Sequence, residues 1–400
     1  MLDFDIVKRI RMKLNSTLLA TLVASSSIFA SWQAQAMSEA PVPISDDYKA
    51  MTFNIRDKEP ETDVDNEIWK NRFGAVIRSI ESNQPDFVGT QEGYHSQLQS
   101  LDTGYHHVGG KIGASIIELW HNSEARLDDD YARIGQGDDG LTIGKYNAIY
   151  YNKARFEVLE KGNRWFSFEG LKDNAVAAAV EKGIAEIAIN IGTAIIPELK
   201  TIAIDFGEFE NRMFTYAKVR DKGTNRELWL FNTQMYENKR PEDAGHSLIV
   251  TAARTFAIDQ LRKFMFEKAM VDGQLQPVVL MGNFGANYLN LPMSITLSAM
   301  NNGQAINDDY FRLNARWWAL GTLPDESESY HGFGSIEGRL GKPVYPVDWT
   351  YSGGKDASGT DFRRVKSAID KNKYLGYANG EEVFPSDHYP IVSEYTFKAE

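Results

Sequence analysis

The chain contains no cysteine. That excludes a disulfide scaffold, a cysteine nucleophile, a thiolate zinc site, an iron–sulfur cluster and a lipid anchor on an N-terminal cysteine. Positive charge is also scarce: 43 Lys and Arg stand against 55 Asp and Glu, a formal net charge of −12. An acidic surface disfavours loose attraction to phosphate backbones, although a bound divalent cation inverts the charge locally. The sequence shows no internal repeat and no long low-complexity tract. With 42% hydrophobic residues and 12% aromatics among 400, the composition is that of an ordinary globular chain rather than of a wholly disordered or multi-span membrane protein.

Residues 1–36 read as a secretory signal. Lys8, Arg9, Arg11 and Lys13 give a positive start, Leu18 to Trp32 an apolar stretch, and Ala34-Gln35-Ala36 a small-x-small cleavage site. The alternative is a single membrane anchor, which the stretch fits less well because it is shorter than the ~20 residues a span needs and is rich in Ser and Thr; with the signal cleaved, no stable transmembrane segment is expected. Removing these residues takes four basic and two acidic side chains, which deepens the net charge to −14. The expected location is the periplasm or the exterior. Residues 37–48 read as a linker, and 49–400 as one catalytic-size domain.

Within that domain strand-like and helix-like segments alternate. Lys49–Asn54, Asp86–Thr90, Asn147–Tyr151, Phe214–Val219, Leu228–Asn232, Pro277–Met281 and Ile391–Phe397 read as strands. Trp69, Phe73, Val76, Ile77 and Ile80 keep helical spacing, as do Ile249, Ala253, Phe256, Ala257, Leu261 and Phe264. The order predicts an α/β or α+β sheet protein. From 175 to 204 the chain is low in charge, with Val176, Val180, Ile184, Ile187, Ile191 and Ile195 on one stripe. An inserted helix packed on the core, within 168–210, is the expectation; a lid, a membrane contact or a protein-partner surface is the alternative.

Four stretches set an amide, an acid or an Asp-His pair at the end of an apolar run: Met51-Thr-Phe-Asn-Ile-Arg56, Pro85-Asp-Phe-Val-Gly-Thr-Gln-Glu92, Val347-Asp-Trp349 and Phe384-Pro-Ser-Asp-His-Tyr-Pro-Ile391. Strands buried on both faces bring such ends together at one sheet edge. Hard oxygen donors suit Mg²⁺, Mn²⁺ or Ca²⁺. A His beside an Asp, with a second Asp to orient it, suits acid–base work or transition-state donation.

Taken in order with Trp69, Arg72, Gln97-Leu98, the Tyr131–Gly140 segment, Gly144-Lys-Tyr-Asn-Ala-Ile-Tyr-Tyr151, Trp165-Phe-Ser167, Phe231-Asn-Thr233, Val278-Val-Leu-Met-Gly282 and Tyr330-His-Gly-Phe333, these stretches resemble the endonuclease/exonuclease/phosphatase superfamily, the pancreatic-deoxyribonuclease-like fold, over roughly 49–397. The resemblance implies a four-layer sandwich of two packed mixed β-sheets flanked by helices. It also implies a divalent metal at the sheet edge, near Asn54, Glu92 and Asp387. His388 would meet the scissile phosphate, and Asp348 would orient it.

The nucleophile side departs from the family pattern. The strand ending Asn-Thr-His reads Asn232-Thr233-Gln234, and the Gly-Asp-Phe-Asn turn reads Gly282-Asn283-Phe284-Gly285. A Gly-Glu pair reads Gly144-Lys145, and an Arg expected within Gly135–Gly140 is missing. Asn283 carries no charge and takes no proton; Gly285 offers no side chain. An active enzyme would need a substitute base: Asp138, Asp139 or a second metal-bound water. The expected function is an exported, metal-dependent phosphoester hydrolase with an altered water-activating half. A catalytically inactive protein that binds a ligand or partner is the alternative. Expected ligands are a phosphorylated small molecule, a phospholipid headgroup or a nucleic acid.

Overall fold

In the computed structural model the described residues are 45–58, 68–109, 115–140, 142, 144–166, 212–236, 244–285, 307–308, 329–332, 347–377 and 380–398. The stretch read as a signal (1–36), most of that read as a linker (37–48), and the expected insert (168–210, with its 175–204 stripe) lie outside them.

Twelve strands form two six-stranded sheets. The first contains β1 (Asp47–Asn54), β2 (Phe87–Tyr94), β3 (Tyr131–Ile134), β4 (Lys145–Asn152), β11 (Asp361–Ile369) and β12 (Ile391–Lys398), in the order β11-β12-β1-β2-β4-β3. The second contains β5 (Phe156–Trp165), β6 (Met213–Asp221), β7 (Glu227–Gln234), β8 (Val278–Asn283), β9 (Asn307–Asp308) and β10 (Asp348–Gly353), in the order β9-β10-β8-β7-β6-β5. Each sheet is mixed: β1 runs parallel to β2 and β7 to β8, and the other pairings are antiparallel. The α1 helix (Trp69–Asn83) and α2 (His95–Thr103) cover the first sheet; α3 (Ala244–Ala269) covers the second.

The residue pattern dictates these layers. Along β1, Tyr48 and Ala50 enter the core between the sheets, while Met51 and Phe53 meet Phe73, Val76 and Ile77 of α1. Along β7, Leu228 and Leu230 face the other sheet, while Trp229 and Phe231 pack with Ala257, Leu261 and Phe264 of α3. A strand covered on both sides has no polar face, so it reads as an unbroken apolar run. The expected four-layer sandwich is what the chain forms.

One polar cluster interrupts the inter-sheet core. Gln91 Nε2 donates to Asn232 Oδ1 (2.7 Å), to Thr52 Oγ1 (3.1 Å) and to the Gly89 carbonyl (2.9 Å). Asn232 Nδ2 donates to the carbonyls of Thr90 and Ala148, both at 2.8 Å. Both side chains are fully buried. Buried amides left unpaired would cost about 1–3 kcal/mol each, so this network fixes the lateral register of the two sheets. Gly89 admits the approach, since a Cβ there would stand 2.7 Å from Asn232 Oδ1.

Candidate functional site

The network lies just beneath the strand ends. In the second sheet Asn283 pairs with Gln234 on one side and Asp348 on the other, which aligns three sequence-selected positions in one row. In the first sheet Asn54 pairs with Gln91, next to Glu92. Across the sheets, Gln234 Nε2 donates to Glu92 Oε1 at 2.6 Å, and Asn54 Nδ2 donates to the same oxygen at 2.8 Å.

Glu92 owes its orientation to backbone irregularity. The β2–β4 register slips between Thr90 and Gly93, and Glu92 sits in the slip at φ +68°. A bulge re-aims a side chain that strand alternation would otherwise direct elsewhere. Arg56, just past β1, also has positive φ, +54°. Non-glycine residues held there cost of order 1–3 kcal/mol and persist where the surroundings impose them. Here Arg56 N–H donates to Asn54 Oδ1 (2.9 Å), and Asp57 N–H donates to Glu92 Oε2 (3.3 Å).

His388 and Asp348 are brought together at the strand ends. Nδ1 lies 2.7 Å from Asp348 Oδ2, and both residues are buried. The 329–332 strip fastens both. Ser329 Oγ accepts the N–H of Val347 (2.9 Å) and of Asp348 (3.2 Å), while Asp387's carbonyl accepts the N–H of His331 and Gly332. Tyr330 sets its ring edge-on to His388, with centroids 5.0 Å apart. Burial alone would drive the imidazole neutral. The Asp348 carboxylate, with Asp387 and Glu92 behind it, outweighs that and raises the His388 pKa to about 10. At neutral pH His388 is therefore an imidazolium with Nδ1 held by Asp348. Its Nε2–H is left to donate to an anionic oxygen, a charge-assisted bond of the stronger kind.

The departures on the nucleophile side are structural as well as chemical. Asn283 Oδ1 accepts the Gly285 N–H at 2.8 Å, so the side chain closes its own turn. Gly285 has φ +58°, and a Cβ there would stand 3.0 Å from both Arg254 Nη2 and the Tyr236 carbonyl. The space of the missing side chain is taken by the Arg254 guanidinium, whose Nε donates to that carbonyl. Gly285→Asn alone is accordingly expected to lower stability by roughly 1–3 kcal/mol through overpacking. The left-handed φ itself is one that Asn tolerates. A denaturant titration checks this, and an unchanged midpoint would show that Arg254 yields freely. Asp138, a proposed substitute base, is tied to the same turn as Lys145: its Oδ1 accepts the Lys145 N–H at 3.0 Å, and burial pushes its pKa up.

The metal side holds cations of the chain itself. Lys145 Nζ lies 2.6 Å from Asp57 Oδ2, and Arg56 Nη1 lies 3.8 Å from Asp387 Oδ2. The structure brings Asn54 to Glu92 but sets Asp387 against Arg56. Among the described residues no group of three or more His, Cys, Asp or Glu side chains is placed to hold an ion. The donor set as arranged therefore does not fit a resident divalent cation: Asn54 turns its amide nitrogen to Glu92, and its oxygen is engaged by Arg56 N–H. Asp57, the pairing of Lys145, and Arg254 were not singled out from sequence as site groups. Lys145 carried the one usable signal, a cation where the family pattern has an acid.

No protein-family model matches the chain, and no curated protein matches it. Solved structures do. An endonuclease/exonuclease/phosphatase from Bacteroides vulgatus aligns over 88% of this chain and 99% of its own, at 19% identity and TM-score 0.56. A family protein from Bacteroides thetaiotaomicron aligns over 88% and 95%, at 18% and 0.57. A mannosyl-6-phosphatase from the same species aligns over 88% and 100%, at 18% and 0.56. Two mixed sheets in this strand order and these likenesses together give the chain the endonuclease/exonuclease/phosphatase fold.

Proposed function

We propose that the sheet-edge site binds a phosphoester, and that the chain hydrolyses it far more slowly than an enzyme with an intact water-activating half. The His388–Asp348 pair carries this reading: a buried imidazolium fixed by a carboxylate is of use to an anionic oxygen arriving at Nε2. The opposing half supports the slow rate. Gln234 is bound to Glu92, Asn283 caps a turn, and Arg254 fills the space beside Gly285. None of the three takes a proton from water.

A phosphorylated small molecule is the favoured ligand over nucleic acid or a lipid headgroup. The chain is acidic overall, which works against a polyanion, and a mannosyl-6-phosphatase is among its structural neighbours. Mg²⁺, Mn²⁺ or Ca²⁺ enters as an alternative source of charge: brought in with substrate phosphate, an ion would draw on Glu92, as Mg²⁺ commonly uses one or two carboxylates. A silent binding protein is the limiting case, with binding retained and turnover zero. Export through a signal cleaved near Ala36 is part of the same proposal, and N-terminal sequencing of the mature protein tests it.

The deciding assay is hydrolysis of nucleotides, sugar and inositol phosphates, phospholipids and DNA, with and without Mg²⁺, beside Asp387→Ala. We expect turnover at least ~10²-fold below an ordinary enzyme's, the usual loss when one well-placed group is absent. Ordinary turnover abolished by Asp387→Ala would replace this reading with that of a fully competent hydrolase.

A further inference from the structure

Asp57, Glu92 and Asp387 all lie within electrostatic reach of the buried Arg72, and on their own these carboxylates would repel an arriving phosphate. A bound divalent ion is one way to reverse that field. This chain has another. Lys145, the first residue of β4, extends its ammonium to within 2.6 Å of Asp57 Oδ2, and the two side chains are only 22% and 15% exposed. Asp57 is in turn linked to Glu92 through its N–H, and Arg56 faces Asp387. Each of these links joins separate parts of the chain: 145 to 57, 57 to 92, and 56 to 387.

We propose that Lys145 is the resident cation of this site, receiving the phosphate group together with Arg56, so that a phosphoester binds without a divalent metal. The inference rests on the phosphoester reading above and adds the source of the positive charge. Electrostatics agree with the geometry. Burial works against a charged lysine, but Glu92 and Asp57 more than offset it and keep Lys145 protonated. A lysine so held is a compact point charge with three donors; Asp57 engages one and leaves others for a ligand. A divalent ion beside Glu92 would have to tolerate or expel that ammonium.

The test uses the full chain with inorganic phosphate as probe, followed by calorimetry in excess EDTA and again in excess Mg²⁺. Wild type is expected to bind phosphate in EDTA, with Mg²⁺ changing the affinity little. Lys145→Gln should weaken binding about ten- to a hundredfold, the loss typical of a hydrogen bond to a charged group, and Lys145→Arg should restore most of it. Lys145→Glu should make binding depend on Mg²⁺. Melting curves of each variant separate lost binding from lost folding, and Lys145→Arg keeps the test decisive if Lys145→Gln melts early. Phosphate binding by wild type only in Mg²⁺ would overturn the inference and leave the phosphoester reading standing. Equal affinity in wild type and a folded Lys145→Gln would overturn it as well. Absence of binding in both media would overturn the two together.

Discussion

Replacing Arg72 with Met is expected to lower the unfolding free energy by about 2–4 kcal/mol, because it strips buried carbonyls of their donor, at roughly 1–3 kcal/mol for a group left unsatisfied. Arg72 projects from α1 with no exposed surface. Its Nη1 donates to the carbonyls of Ile55 (2.6 Å) and Pro385 (3.1 Å), and its Nη2 to those of Arg56 (3.0 Å) and Asp57 (3.4 Å). The guanidinium also lies over the Trp69 ring, 4.8 Å from its centroid. Burial pulls its pKa down to about 10, with Asp387 the largest opposing influence, so it is still charged at neutral pH. Methionine keeps much of the packing volume but leaves four carbonyls without this donor. Those carbonyls belong to the chain just after β1 and to the segment before Asp387. Phosphate affinity should therefore fall with stability, because Arg56, Asp57 and Asp387 lose their common anchor. Urea titration measures the first effect and calorimetry the second. A loss under about 1 kcal/mol would mean that water replaces the guanidinium at little cost.

Asp348→Asn should abolish most of the pH dependence that His388 imposes. In the folded wild type the His388 pKa is raised to about 10, against about 6.5 for an unperturbed histidine. A folded value above the unfolded one means that the contribution is complete below pH ~6.5 and is lost progressively as pH rises toward ~10. Wild type should therefore lose on the order of a few kcal/mol over that window from this group. With Asn at 348 the imidazole loses its counter-charge while its burial persists, so its pKa falls and the alkaline loss flattens. Unfolding free energies at several pH values between 6 and 10 test this, and parallel profiles for the two proteins would refute it. Phosphate binding near neutral pH should weaken in the same variant, since a neutral imidazole is a poorer donor.

The layers were legible because their cause is local. Strands such as β1, β7 and β8 are apolar on both faces, and α1 and α3 keep an apolar stripe. The strand-end residues Asn54, Glu92, Asp348, Asp387 and His388 were legible as ordered motifs. What the sequence could not disclose is geometry that joins distant segments. Nothing near Asp57 marks it as the counter-ion of Lys145. The slip in β2 that swings Glu92 to positive φ leaves no compositional trace. Gly285 reads as a missing side chain, and only the structure shows Arg254 in its place.

The Gln91–Asn232 network has a further meaning for how such a chain changes over generations. The bonds that keep the two sheets aligned sit one or more residues below the positions that do chemistry, and they use different side chains. Substitutions at 234 or 283 alter the rim while the alignment beneath survives, so reactivity can drift without loss of shape. A scaffold organised this way can be turned from one task to another by substitutions at the rim.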